Sequence, residues 1–326
     1  MCLKVLLLAN SRLALPTLNH LLADGSIAGI AIPDTNNEVT EWLKYTAITH
    51  GIPWQSISQA AIEQDLEELI QRAQPDVGLA ITFPYKIPAS LLTSTKYGFF
   101  NCHPGSLPKY RGADPLFWQI RNGESHTAIT VHKMDAGFDT GPIALQQEIP
   151  LSPGDTYGMQ QSRLAYLCID LTKTLLQKLT TNTLELTEQI ALQPGSTKAY
   201  PRPAYEHVIL DFEQYSREQI HAIVKACNPW NRGAFAFIGE MQLKIAEMTP
   251  ANSSHTFNAS PGTIVIADQQ TGLFVICKNE ELLKIEIVML EEGIITGAQL
   301  VQFGIKQGDR MIPNLTSIEA PQEIAL

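Results

Sequence analysis

Apolar residues in the first half of the chain fall into short compact runs separated by stretches of helical spacing. Val5–Ala9 and residues 27–32 are runs of strand length, and residues 13–23 between them repeat apolar positions at the spacing of a helix, up to Gly25. Residues 42–50 and Ile62–Ala73 carry the same helical spacing, while 77–82 and 97–103 read as buried strands. Strands alternating with helices predict parallel βαβ units: a Rossmann-like, mostly parallel α/β sheet with helices on both faces. Ligands of such sheets lie outside the carboxyl ends of the strands, where Asn101 and His103 fall.

The apolar run before Asn101 breaks into a loop stiffened by Pro104, Gly105 and Pro108. A short helix is predicted over Pro115–Arg121 and strands over 128–134 and 143–149, the strands joined by the sequence DAGFDTGP at 135–142. A long helix follows over 156–179, with Leu164, Leu167, Cys168, Leu171 and Leu175 along one stripe. Residues 193–206 (QPGSTKAYPRPAYE) hold three prolines and no periodicity, which marks a linker. Beyond it, one helix over 216–227 precedes strand-like runs near 233–247, 262–267, 273–277 and 283–290, the pattern of a small OB-like β-barrel. The expected division is a catalytic domain over 1–192, a linker over 193–206, a C-terminal domain over 207–315 and a tail over 316–326.

Charge narrows the partners. The formal net charge is −10, and from His207 onward 8 Lys and Arg face 14 Asp and Glu, so the concentrated basic footprint that nucleic acid requires is missing. Five cysteines, scattered and without a CxxC pair, read as buried free thiols of a reducing, cytoplasmic protein. The opening VLLLA run is too short to span a membrane.

On an extended strand, Asn101 and His103 share a face and Cys102 points the other way. Taken alone, a strand-end histidine is as readily a satisfied, partly buried imidazole as a functional group. Paired with an amide at a parallel-strand terminus, it can donate to an oxygen that becomes negative during acyl transfer. A charged histidine needs a carboxylate, and Asp135 and Asp139 are the candidates, although both also suit an ordinary turn. No GxSxG elbow surrounds Ser106, Ala9-Asn10-Ser11-Arg12 replaces a GxGxxG loop, and the histidines lack metal-ligand spacing, so no metal is expected. His132, between Val131 and Lys133, is expected to face solvent.

The stretch from Asn101 to Gly112, NCHPGSLPKYRG, resembles the signature of the folate-dependent formyltransferases, and Met134–Gly141 resembles that family's second signature. Asn228-Pro229-Trp230 and the small β domain extend the likeness over nearly the whole chain. The resemblance implies transfer of a formyl group from 10-formyltetrahydrofolate to a primary amine by direct attack. It makes Asn101, His103 and Asp139 the catalytic trio, with a protonated His103 and Asn101 stabilising the tetrahedral oxyanion and Asp139 holding His103 in its charged form. It places folate against Phe83, Tyr85, Lys86, Ile87, Asp135, Gly137 and Asp139, and the acceptor against Ser106, Leu107, Pro108, Arg111 and Gly112.

The sequence departs from the family pattern in three places. Gly105-Ser106 stands where Ser-Leu is usual, the first loop lacks its glycine, and the segment after the second strand is short and acidic where tRNA-specific members carry a basic insertion. A small-molecule or carrier-bound amine, such as an amino sugar, is therefore the expected acceptor, with methionyl-tRNA the alternative and a non-catalytic folate-binding module the second.

Overall fold

The computed structural model describes residues 2–190 and 199–313, so part of the expected linker and the whole expected tail lie outside the described residues. The chain divides into two compact units, one of Met1–Pro115, His126–Pro150 and Gln161–Pro201, the other of Leu116–Ser125, Leu151–Gln160 and Arg202–Leu326. Two short excursions from the first half thus group with the C-terminal half, which no composition shift in the sequence announces.

The first unit is built on a seven-stranded sheet: β1 (Val5–Ala9), β2 (Ile27–Pro33), β3 (Trp54–Ile57), β4 (Val77–Ile81), β5 (Phe99–His103), β6 (His126–Lys133) and β7 (Ile143–Pro150). The order is β3-β2-β1-β4-β5-β6-β7; β1 to β5 are parallel, and β6 and β7 run antiparallel at one edge. β1 and β4 are buried along their whole length, as their unbroken apolar sequences require of central strands. The short β3, with only one buried residue, had no periodic signal in the sequence.

Helices α1 (Leu15–Ala23), α2 (Glu38–Thr49) and α3 (Ile62–Ala73) connect the parallel strands. Asn37 caps α2 by accepting from the N–H groups of Val39 and Thr40, so β2 passes into the helix through residues 34–37 alone. α3 buries Leu66, Leu69, Ile70 and Ala73 against Leu6, Leu8, Ala31, Ile57, Ala80 and Phe99 of the sheet. Truncating one such leucine to alanine typically costs about 2–5 kcal/mol. α4 (Pro115–Arg121) follows β5, and α5 (Tyr157–Thr180) follows β7.

The second unit carries α6 (Arg217–Ala226) and a curled antiparallel sheet of β8 (Ala234–Ile238), β9 (Met241–Ala251), β10 (Ile264–Asp268), β11 (Gly272–Ile276), β12 (Leu282–Leu290), β13 (Gly293–Thr296) and β14 (Met311–Ile312). The order is β10-β11-β12-β9-β8-β14, with β13 beside β12, and a bridge between Thr263 and Arg310 joins the two edges. Such closure removes exposed strand edges, as the expected barrel requires. α6, capped by Ser216 and Gln219, packs on β9. Trp230 of the Asn-Pro-Trp motif packs on Phe117 and Tyr157, which anchors both excursions within this unit. Among the described residues, no helix is long and apolar enough to cross a membrane.

Candidate active site

β5 ends as its alternation predicts. Cys102 is buried toward Cys168 of α5, and Asn101 and His103 share the opposite face. The antiparallel β6 sets His132 opposite Asn101 and Thr130 opposite His103. Asp139 lies in the β6–β7 loop at φ +53°, a left-handed conformation that costs a non-glycine residue about 1–3 kcal/mol. Its Oδ1 is 3.3 Å from Asn101 Nδ2, 3.5 Å from His103 Nδ1 and 3.4 Å from His132 Nε2, and its Oδ2 accepts the Gly112 N–H at 2.9 Å. The predicted trio is thus assembled, with two groups added that the sequence did not single out as chemistry.

The side chains of His103 and His132 are 4% and 2% exposed and that of Asp139 13%, so electrostatics here acts with little screening. Burial alone would raise the Asp139 carboxyl. The charge of a protonated His103, the hydrogen bond from His132 and the Gly112 N–H outweigh it and hold the carboxyl well below the usual carboxylate range. Burial lowers His103 below its ordinary value, against the opposing pull of Asp139 and the bond to Tyr110, while His132 adds to the lowering.

Burial and Asp139 thus pull on His103 in opposite directions, and the Asp139 carboxylate is the charged group that favours its protonated form. His103 Nε2 lies 2.6 Å from the Tyr110 carbonyl, which only accepts, so this nitrogen carries a proton, and Nδ1 faces the Asp139 carboxylate at 3.5 Å.

At His132 the structure corrects the sequence. Expected to face solvent, it is buried, and its Nε2 lies 3.3 Å from Asn101 Nδ2 as well as beside Asp139. Alternation along β6 gave its side of the strand but not that the Asp139 loop folds back over that side. The available signal was register: pairing 99–103 antiparallel with 130–133 places His132 against Asn101.

The loop after β5 is held from several sides. The Thr130 hydroxyl donates to the Gly105 carbonyl at 2.6 Å, and Gln146 Nε2 donates to Thr130 Oγ1 at 2.7 Å and the Leu107 carbonyl at 3.1 Å. A side chain at position 105 would begin 2.7 Å from Pro115 Cβ and 2.9 Å from His103 Nε2, so the off-pattern Gly105 makes room for the histidine. Gly112, at φ +99°, lies against the backbone of Tyr200, whose ring stacks on Tyr110 at 5.0 Å. Of the expected acceptor-wall residues, Leu107 is buried, and Ser106, Pro108, Arg111 and Gly112 are half-buried. Arg111 is held by Gln189, another residue the sequence did not mark.

The two expected folate loops meet each other. Phe83 and Tyr85 form an edge-on pair at 5.5 Å, and Lys86 Nζ sits 5.4 Å from the centre of the Phe138 ring. Ile87 is buried in the core and anchors its loop from beneath. The Tyr85 hydroxyl donates to Asp34 at 2.5 Å; burial and that carboxylate push the phenol up to about 12. Asp135 accepts from the Gly137 N–H and the Thr140 hydroxyl, so its carboxylate folds the loop that presents Asp139.

The sequence matches two family profiles, Formyl transferase over residues 31–168 and Formyl transferase, C-terminal domain over 204–302. It is 30% identical over 295 residues to a methionyl-tRNA formyltransferase of Geotalea uraniireducens, covering 88% of this chain and 90% of that one. The corresponding Thermotoga maritima protein is 30% identical over 276 residues, covering 82% and 85%. In fold, the chain is similar to the N-formyltransferase of Helicobacter canadensis solved with folinic acid and dTDP-3-aminofucose, with a TM-score of 0.66 at 20% identity, covering 87% of this chain and 98% of that one. The two profiles together match well over half of the sequence, and with these relatives they show that the chain belongs to the folate-dependent formyltransferase family.

Proposed function

We propose that the protein transfers the formyl group of 10-formyltetrahydrofolate to a primary amine on a small or carrier-bound acceptor, such as an amino sugar. The observation that carries the chemistry is the convergence of Asn101, His103 and Asp139 around one carboxylate oxygen. The neutral amine attacks the formyl carbon, forming the new C–N bond as the carbonyl electron pair moves onto oxygen. Asn101, held by Asp139 through one amide hydrogen, has its second available for that oxyanion. His103 Nδ1 accepts the proton released by the amine, Asp139 stabilises the imidazolium formed, and the proton passes to the folate nitrogen as the old C–N bond breaks. Phe83, Tyr85, Lys86 and Asp135–Asp139 would hold the pterin, and Ser106–Gly112 the acceptor. Residues 1–192 would be the catalytic domain and 207–315 the C-terminal domain, separated by a linker.

The small-amine reading is supported by charge and by the loop after β2. Residues 34–37 pass directly into the capped α2 and contain Asp34 but no Lys or Arg, and the net charge is −10. The second reading, methionyl-tRNA as acceptor, is favoured by the names of the relatives that align with nearly the full chain. Tetrahydrofolate release would be measured with a panel of amino sugars and with charged initiator tRNA at two salt concentrations. Turnover with an amino sugar supports the first reading; tight, steeply salt-dependent tRNA binding with turnover overturns it in favour of the second.

A further inference from the structure

We propose that Gln189 is a positioning residue of the formyl-transfer site, joining the Arg111 loop to the Asp139 loop so that the Asp139 carboxylate stays against His103. The inference rests on the formyl-transfer reading for its rate effect, but its structural part stands independently.

Gln189 lies in the segment that follows α5. Thr187 exchanges both backbone hydrogen bonds with Ile143 at 2.7 and 2.8 Å, which fixes this segment on the start of β7. Two residues on, Gln189 uses both ends of its amide. Oε1 accepts from Arg111 Nε at 3.1 Å and Nη2 at 2.6 Å, while Nε2 donates to the carbonyls of Asp139 at 2.9 Å and Gly141 at 2.7 Å. Both amide hydrogens are spent, and the partners settle which end is oxygen, since a guanidinium only donates and a carbonyl only accepts.

The two loops joined in this way carry complementary halves of one contact. The residue after Arg111 is Gly112, whose N–H binds Asp139 Oδ2. Asp139 itself occupies a left-handed conformation, and Gln189 captures its carbonyl there. Loss of the amide leaves two carbonyls and a guanidinium without these bonds and lets the loops separate at the point where Gly112 grips the carboxylate. A glutamate at 189 would keep Arg111 but turn an oxygen toward the two carbonyls.

The charged and titratable groups facing His103 are Asp139 and His132, and those facing the Asp139 carboxylate are His103 and His132. Asp139 is the influence among them that raises His103, so its displacement would lower the titration midpoint of that ring.

The test is Gln189→Met, which keeps length and bulk but has no amide, compared with wild type after matching their thermal melting. His103, assigned by the signal lost in His103→Asn, is titrated by NMR in the whole protein, and formyl transfer from 10-formyltetrahydrofolate to hydroxylamine is followed as tetrahydrofolate release. The expected result is a His103 midpoint lower than in wild type and kcat lower by roughly 10–100-fold, with binding of 5-formyltetrahydrofolate unchanged. A Met variant with wild-type midpoint and kcat overturns the proposal. If that variant fails to fold, Gln189→Asn, whose amide is too short to reach both loops, takes its place with the same expected and overturning results. If the wild type transfers formyl to no amine, the functional reading fails, while the His103 titration still decides whether Gln189 holds Asp139.

Discussion

Asn101 and His132 face each other across the antiparallel pair β5–β6, with Nδ2 and Nε2 3.3 Å apart. Both nitrogens also point at Asp139 Oδ1, so an ionised carboxylate, which can only accept, orients an amide and an imidazole together. The trio is therefore a quartet in its hydrogen bonding, and His132 works through Asp139 and Asn101.

Replacing His132 by Phe preserves the bulk but removes one donor to a buried carboxylate. A hydrogen bond to a charged group is worth about 1.5–3 kcal/mol, so kcat should fall roughly 10–100-fold with folate affinity little changed. Steady-state kinetics beside a folate-binding titration checks this; wild-type kcat in the variant would return His132 to a structural role.

Asn101→Ala removes the amide assigned to the oxyanion. Loss of one such donor costs about 100–1000-fold in kcat, a larger fall than for His132→Phe. Single-turnover formyl transfer separates this chemical effect from product release.

The pH profile follows from burial. In the proposed reaction His103 takes a proton from the amine, and burial lowers its pKa, so its unprotonated form should persist to lower pH than for an ordinary histidine. Activity should fall on the acid side only below about 6.5, the unperturbed value. Asp139→Asn, which removes the group that raises His103, should move this limb further toward acid as well as reduce the rate. Stability has the same sign: the lowered Asp139 contributes stability above the ordinary carboxylate value, which is lost as pH falls through its depressed one. Denaturant unfolding of wild type and Asp139→Asn should converge at acid pH.

Gly105→Ser installs the residue usual in the family. With the new Cβ 2.9 Å from His103 Nε2 and 2.7 Å from Pro115 Cβ, the substitution should lower activity. Gly112→Ala combines φ +99° with contact against Tyr200 backbone and should lower the melting temperature as well. Kinetics and thermal melts of the two variants test both statements, and an unchanged Gly105→Ser enzyme would refute the first.

What the sequence made legible was local. The strand-to-loop break at 103–104 and period-two alternation put Asn101 and His103 on one face, and the DAGFDTGP turn offered Asp139. What it hid depends on parts of the chain distant in sequence. His132 needed the β5–β6 register and a loop folding back over it, Gln189 sits in a segment with no periodicity, and the burial that lowers the His103 pKa is reported by no pattern of residue types. The short β3 escaped for the opposite reason, having too few apolar positions to display a period.

The antiparallel run of β6 has a consequence for how such a protein can diversify. The partnership of Asn101 with His132 is fixed by strand pairing, whereas the polypeptide between β5 and β6 beyond Gly112, the last residue of the loop that binds Asp139, does not set that register. Insertions and deletions between Gly112 and β6 can therefore accumulate without sliding the amide past the imidazole. A single-residue indel inside β6 would substitute Val131 or Lys133 at that point and abolish the pairing. The length of that connection is the editable part of this architecture, and the Asn101–His132 contact is written in its register.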